Sequence, residues 1–273
     1  MTRKAALILA LASILCACTN DGPADEHLVV DGWIEDGGYP VVMLTSSLDA
    51  DAGMQDTESL RSHVLTLARV SVTCGEKTVV LTGVRNDDYY PPYIYTTTEI
   101  KGEAGKTYVL DVKYGETLAH ASTTVPSAQE LVSAGAVRNG EGVYAINCTL
   151  NALPGSRYKF FVKRDGKDVM FISPYMSLVN GDVTPGTTDI TLNRGFDVTS
   201  GKYDMWFDDG DVVRIRFCTL DSEAFDFWSG YEETGLLSRN PIFPVTTGVH
   251  SNVEGGYGCW CGYGASYYTV NCE

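Results

Sequence analysis

Apolar and polar residues alternate with a period of two along most of this chain, in short runs separated by turn residues. The first set is HLVVDGWI (27–34), YPVVMLTS (39–46), ARVSVTC (68–74), KTVVLTG (77–83), YIYTTTEI (93–100), KTYVLDVKY (106–114) and TLAHASTTV (117–125). In the third run Val70, Val72 and Cys74 share one face while Arg69, Ser71 and Thr73 share the other, the signature of a strand packed on one side. The connection Cys74-Gly75-Glu76-Lys77 reads as a tight hairpin, because Gly75 can take a positive φ. These runs predict a seven-strand β-sandwich of Ig-like size over residues 27–126.

The alternation resumes in VYAINCTL (143–150), RYKFFVKRD (157–165), DVMFIS (168–173), TDITLN (188–193) and DVVRIRFCTL (211–220). In the last of these Val213, Ile215 and Phe217 face one way and Arg214, Arg216 and Cys218 the other. A second β-domain is therefore expected over 127–273, joined through the polar, glycine-bearing stretch at 127–142. One segment departs from the β rhythm. Within 221–237, Ala224, Trp228, Tyr231 and Gly235 recur at helical spacing with Phe225 beside them, and Asp221 or Ser222 can cap the first turn. The expected fold is all-β: two Ig-like sandwiches in tandem, with one short helix packed on the second.

The first 17 residues have a different character. Arg3 and Lys4 precede an apolar run of about a dozen residues, too short for a permanent membrane span and of the form of a secretory signal. Ala17 supplies the small side chain that a signal peptidase requires before Cys18, whereas Leu15 before Cys16 does not. Leu15-Cys16-Ala17-Cys18 thus resembles a bacterial lipobox, with Cys18 as the lipidated first residue of the processed chain. Two or more acyl chains on Cys18 would anchor it stably. Residues 18–26 hold no large apolar side chain and read as a tether.

The chain of 273 residues carries a formal charge of −15. Loss of Arg3 and Lys4 with the signal makes the remainder more acidic still, which excludes nucleic acid as a partner. Catalytic signatures are missing: the sequence has no G-x-S-x-G, H-E-x-x-H or G-x-x-x-x-G-K pattern, and its four histidines are scattered at 27, 63, 120 and 250. DDGD (208–211) reads as a turn rather than a calcium loop, lacking alternating ligands and a distal Glu. No cofactor and no metal are expected.

Six cysteines follow Cys18, which allows 15 pairings in an oxidising compartment. Cys74 and Cys148 alternate in register with apolar neighbours and should be buried. Cys259, Cys261 and Cys272 belong to the glycine- and aromatic-rich tail, where at least one disulfide is expected, Cys272 with Cys259 or Cys261. The same tail holds Tyr257, Trp260, Tyr263, Tyr267 and Tyr268. These aromatics either pack on their own sandwich or form an exposed platform for a sugar ring, peptide or protein.

Five segments together, LVVDGWIEDGGYPVVMLTSS (28–47), ARVSVTCGEKTVVLTG (68–83), GKTYVLDVKYGETLAHASTTVP (105–126), DSEAFDFWSGYEE (221–233) and PVTTGVHSNVEGGYGCWCGYGAS (244–266), resemble domain-of-unknown-function family 4249 of exported Bacteroidota lipoproteins. The resemblance implies β-domains on an outer-membrane lipid anchor, often beside TonB-dependent receptors, and it transfers no catalytic residue. The expectation is a non-enzymatic accessory or binding module of the outer membrane. The alternatives are an adhesive or structural subunit that assembles by strand addition and, less favoured by the motifs, a glycan-acting enzyme.

Overall fold

The computed structural model describes residues 27–47, 62–139, 142–197, 202–237 and 249–273. Cys18, the signal and the tether lie outside them. Eight strands come from the first half: β1 (Leu28–Glu35), β2 (Val41–Ser46), β3 (Arg69–Cys74), β4 (Lys77–Val80), β5 (Thr82–Arg85), β6 (Tyr93–Thr96), β7 (Thr107–Tyr114) and β8 (Thr117–Thr124). Nine follow: β9 (Ser133–Arg138), β10 (Tyr144–Ala152), β11 (Arg157–Arg164), β12 (Leu178–Asn180), β13 (Gly186–Leu192), β14 (Gly195–Asp197), β15 (Lys202–Asp204), β16 (Val212–Leu220) and β17 (Tyr257–Asn271). Helix α1 spans Ser222–Leu237.

The fold is all-β with a helix where the sequence places it, but the halves do not divide at residue 126 as separate sheets. An eight-stranded sheet runs β12-β11-β16-β17-β1-β2-β6-β5, so strands of both halves are hydrogen-bonded into one surface. The joint is β17, which pairs antiparallel with β16 and parallel with β1. Two smaller sheets cover one face of it: β4-β3-β7-β8 over the first half and β13-β10-β9 over the second. Each encloses its own core, one containing Val30, Ile34, Val72, Leu110 and Trp260, the other Ile146, Phe160, Ile215 and Phe217. The opposite face of the large sheet carries α1.

Local chemistry accounts for most of these elements. The predicted turn at Gly75 closes the β3–β4 hairpin with φ 58°. Asp221 is the residue that caps α1: its Oδ1 accepts from the Ala224 amide at 2.8 Å, and its Oδ2 accepts from the Thr123 hydroxyl at 2.8 Å, fastening the helix start to β8. The stretch expected as a linker contains β9, an edge strand of small residues on β10. DVMFIS forms no strand and contributes a single bridge, Ile172 to Val162.

The tail departs most from expectation. It is one strand of 15 residues, and its glycines are there for contact. A Cβ at Gly262 would meet the Thr124 carbonyl oxygen at 2.7 Å, and one at Gly264 would meet the Pro126 carbonyl oxygen at 2.6 Å. The chain leaving β8 crosses directly over β17, and only residues without a side chain admit it.

Candidate functional site

Strict alternation along β17 sorts the tail residues onto two faces. Trp260 points into the first core, fully buried, with its indole N–H donating to the Tyr108 carbonyl at 2.9 Å. Where β16 has ended, the Asn252 carboxamide takes over pairing with the Trp260 backbone, at 2.9 Å in each direction. Cys259 and Cys261 lie on the opposite face, under α1, and are bonded to each other with their Cα atoms 5.9 Å apart. Cys272 shares the parity of Trp260, so it lies in the second core as a buried free thiol. The expected bridge from Cys272 is therefore not formed: the two partners offered to it project from the other side of the strand. Cys148 is buried and Cys74 half-buried, both as free thiols.

Of the two readings of the tail aromatics, packing within the fold holds for Trp260 and Tyr263, and no exposed platform is assembled. Tyr263 is buried and Tyr268 belongs to the core face, hydrogen-bonded to Glu130 and to the Leu131 amide. Tyr257 and Tyr267 are the exposed pair, but ten residues of strand separate them by about 33 Å. Tyr257 instead packs edge-on to His27 at 5.1 Å.

A different group of aromatics is brought together on the α1 face. The Arg216 guanidinium is almost wholly buried and lies 4.3 Å from the ring centroid of Phe161, 5.0 Å from Phe171, and 5.5 Å from both Trp33 and Tyr263. Its Nη1 donates to Glu35 at 2.9 Å, while Nε is buried without a partner. Burial alone would lower its pKa, but the Glu35 carboxylate, together with the neighbouring Cys218, Tyr267 and Tyr263, more than offsets this and holds the guanidinium above its ordinary value. The other oxygen of Glu35 accepts from the Tyr267 hydroxyl.

One strand pair away, Lys159 is buried between α1 and β11. It donates to Glu232 and Ser177, both at 2.5 Å, and faces the rings of Trp228 and Phe161. Burial lowers its pKa to about 8 against the opposing pull of Glu232. A Ser–Lys pair can generate a nucleophile, yet Ser177 is completely enclosed, its hydroxyl donates to the Pro174 carbonyl, and Glu232 claims the lysine. The group is a latch for the helix.

Asp31 lies on β1, across β17 from both cations, and is unlike either. Its neighbours on the same face are Val29 and Trp33 along β1, Met43 across β2 and Cys259 across β17, all apolar. It has no hydrogen bond or ion pair among the described residues. Asp31 is exposed at the surface of β1, and its apolar neighbours raise its pKa to about 6 by desolvation, against a smaller lowering by Arg216. Tyr231 of α1 is near enough that Asp31 adds to the rise that burial causes in its phenol. Trp33 faces Tyr89 at 6.0 Å. The Trp33 indole N–H and the Tyr89 and Tyr231 hydroxyls are likewise unpartnered among the described residues.

Acid–base catalysis finds little footing. Asp31 and Glu35 are about 13 Å apart along β1, beyond the roughly 5–9.5 Å that glycosidic hydrolysis requires. On the outer face of the four-stranded sheet, Ser71, Asp111 and His120 form one cross-strand row above a shallow cleft, with His120 2.8 Å from Asp111. The carboxylate stands between the other two, so the imidazole does not adjoin the serine it would have to activate. At DDGD, Asp211 is paired with Lys167 at 2.6 Å and Asp209 accepts from Tyr144, leaving a hydrogen-bonded turn. No cluster of three metal-ligating side chains occurs among the described residues.

The chain belongs to the family described as a domain of unknown function, DUF4249, whose model matches residues 19–268. No curated protein matches it. Among solved structures it is similar to a cytokine receptor complex at 10% identity, over 71% of this chain and 85% of that one, with a TM-score of 0.23, too distant to bear on fold or function.

Proposed function

We propose that this protein binds rather than catalyses, as a lipid-anchored accessory of the outer membrane beside a TonB-dependent receptor, and that the α1 face of the large sheet is its recognition site. The observation that carries the binding reading is the set of unpartnered polar ends on one face of the large sheet: the Asp31 carboxylate, the Trp33 indole and the Tyr89 and Tyr231 hydroxyls. Aromatic side chains with a free polar end and a fixed flank provide contact area at low entropic cost. The anchor rests on the charged start, the apolar run and Ala17 before Cys18.

Strand addition has little support at the large sheet, which ends in β12 and β5, of three and four residues, and so offers a neighbour few backbone groups. The test is recovery of the intact lipoprotein from membranes with whatever it holds. A receptor barrel captured by the wild type and lost with Trp33→Ala supports the proposal; capture unaffected by that change removes the site. Cys18→Ala should abolish incorporation of labelled fatty acid, and continued acylation of that variant would sink the anchor.

A further inference from the structure

We infer that Arg69 and Lys113 form a phosphate seat on the outer face of the sheet β4-β3-β7-β8, and that the body rests there against the phospholipid headgroups of the membrane holding its anchor. The inference rests on the anchoring of Cys18 read above and concerns the side of the molecule away from α1.

Register singles out these two cations. Arg69 on β3 stands directly opposite Lys113 on β7, both exposed, and like charges so placed disfavour the pairing of their strands. Every other lysine or arginine side chain among the described residues is paired with a carboxylate, hydrogen-bonded to a carbonyl or laid over an aromatic ring. Arg69 and Lys113 have no such partner. Asp111, one row along the same face, is held by His120 at 2.8 Å, and Glu254 stands on the far side of β8. A single exposed lysine without a partner is ordinary. Two cations left facing each other, in a chain of charge −15 with carboxylates to spare, are a place for an anion.

Both line a shallow cleft of about 600 Å³, in which Ser71 offers a hydroxyl beside them. A phosphate there would take charge-assisted hydrogen bonds from the guanidinium and the ammonium. Leu118, directly opposite Lys113 on β8, is 65% exposed, so an apolar side chain projects next to the cations, as a surface meeting the boundary between headgroups and acyl chains requires. The path of the chain selects a lipid as the source of the phosphate. A Cβ on Gly256, next to the cleft wall at Gly255, would lie 2.8 Å from the Leu28 carbonyl oxygen and 3.7 Å from the Ala119 Cβ, so the chain enters the fold beside the cleft. From Cys18 to His27 it can reach no farther than about 30 Å. An acylated Cys18 therefore keeps the cleft close to the bilayer, while the acidity of the remaining surface turns other faces away from anionic headgroups.

The test is lysine labelling of the processed lipoprotein in two kinds of vesicle, one of phosphatidylethanolamine with phosphatidylglycerol and one of neutral, phosphate-free digalactosyldiacylglycerol. A water-soluble acylating reagent should modify Lys113 about tenfold more slowly on the phospholipid vesicles than on the galactolipid ones. Lys101, over Tyr39 at the far end of β1, should react equally on both. Arg69→Gln should abolish the protection of Lys113 and, by relieving the like-charge opposition, should not lower the urea midpoint. A lowered midpoint would give the pair a structural role and overturn the inference, as would equal labelling of Lys113 on the two kinds of vesicle. Equal protection by millimolar inorganic phosphate, in a phosphate-free detergent without lipid, would assign the seat to a soluble anion and overturn its membrane role. Incorporation of labelled fatty acid reads the anchor separately: if Cys18 takes none, the anchor falls and the inference with it; if Cys18 is acylated and Lys113 is unprotected, the inference alone falls.

Discussion

Arg216 and Glu35, 181 residues apart in the chain, meet at 2.9 Å across the seam where the two halves share one sheet. The register brings them near without setting them opposite: β17 lies between β16 and β1, Glu35 stands opposite Tyr263 and Arg216 opposite Tyr267, and the two long side chains span the four-residue offset on one face. Both side chains are nearly enclosed, so removing one leaves the other as an uncompensated buried charge. Glu35→Ala is expected to destabilise the fold by about 3–5 kcal/mol, measured by urea denaturation. Replacing both with apolar residues of similar volume should be far milder. A loss under about 1 kcal/mol in the single variant would mean that the pair is solvated.

Trp260 yields an equally sharp expectation. It is the largest fully buried side chain, wedged against Gly32, where a Cβ would lie 2.9 Å from the indole. Trp260→Ala should therefore cost about 3–5 kcal/mol, as emptying a core aromatic site does. A loss within about 1 kcal/mol would be the mark of an exposed residue and would contradict the packing.

How far the sequence foretold this is visible at particular residues. Alternation placed Val70 and Val72 inward and capped α1 at Asp221 or Ser222, because strand parity and helix caps are local rules. Local rules also carried the parity of the tail, including the opposition of Trp260 to the two cysteines. What they could not carry was which face of β17 has a partner. The glycines at 262 and 264 answer to the chain crossing at Thr124–Ala128, a contact made by residues over 130 positions away. β9 is not legible in the sequence because Ala134, Gly135 and Ala136 give an edge strand little hydrophobic contrast. An acidic residue in an alternating run reads as a solvated position, and Asp31 is exposed; only the tertiary fold gives it Met43 and Cys259 as cross-strand neighbours.

The disulfide provides a check that is independent of stability. Non-reducing peptide mapping should find Cys259 joined to Cys261, with Cys74, Cys148, Cys218 and Cys272 as thiols. Cys218 and Cys148 should react with alkylating reagents only after unfolding, since burial pushes both thiols well above their ordinary pKa, Cys148 to about 12. A bridge across two positions closes so small a loop that its loss should cost no more than about 1.5 kcal/mol in the chain-entropy model. Recovery of a Cys272 bridge from envelope-derived protein would overturn the arrangement of β17.

The stability of Asp31→Asn should depend on pH in a direction that reveals the carboxylate's burden. Its pKa is raised on folding from 3.8 to about 6, so between these values the folded state binds the proton that the unfolded state has released. Stability must then fall as pH rises through that window, and above about 6 the ionised Asp31 exerts its full destabilising effect. Below about 3.8 the carboxyl is protonated in both states and exerts none. Two pKa units correspond to about 3 kcal/mol. Water on the open side of the group screens it, and about 1 kcal/mol is the expected net effect. Asp31→Asn should accordingly be more stable than the wild type at pH 7 by that amount, with the advantage vanishing as the pH is lowered past 4. Paired urea titrations at pH 7.5 and pH 4 decide the matter. A variant less stable than the wild type at pH 7.5 would show that Asp31 has a partner within the fold.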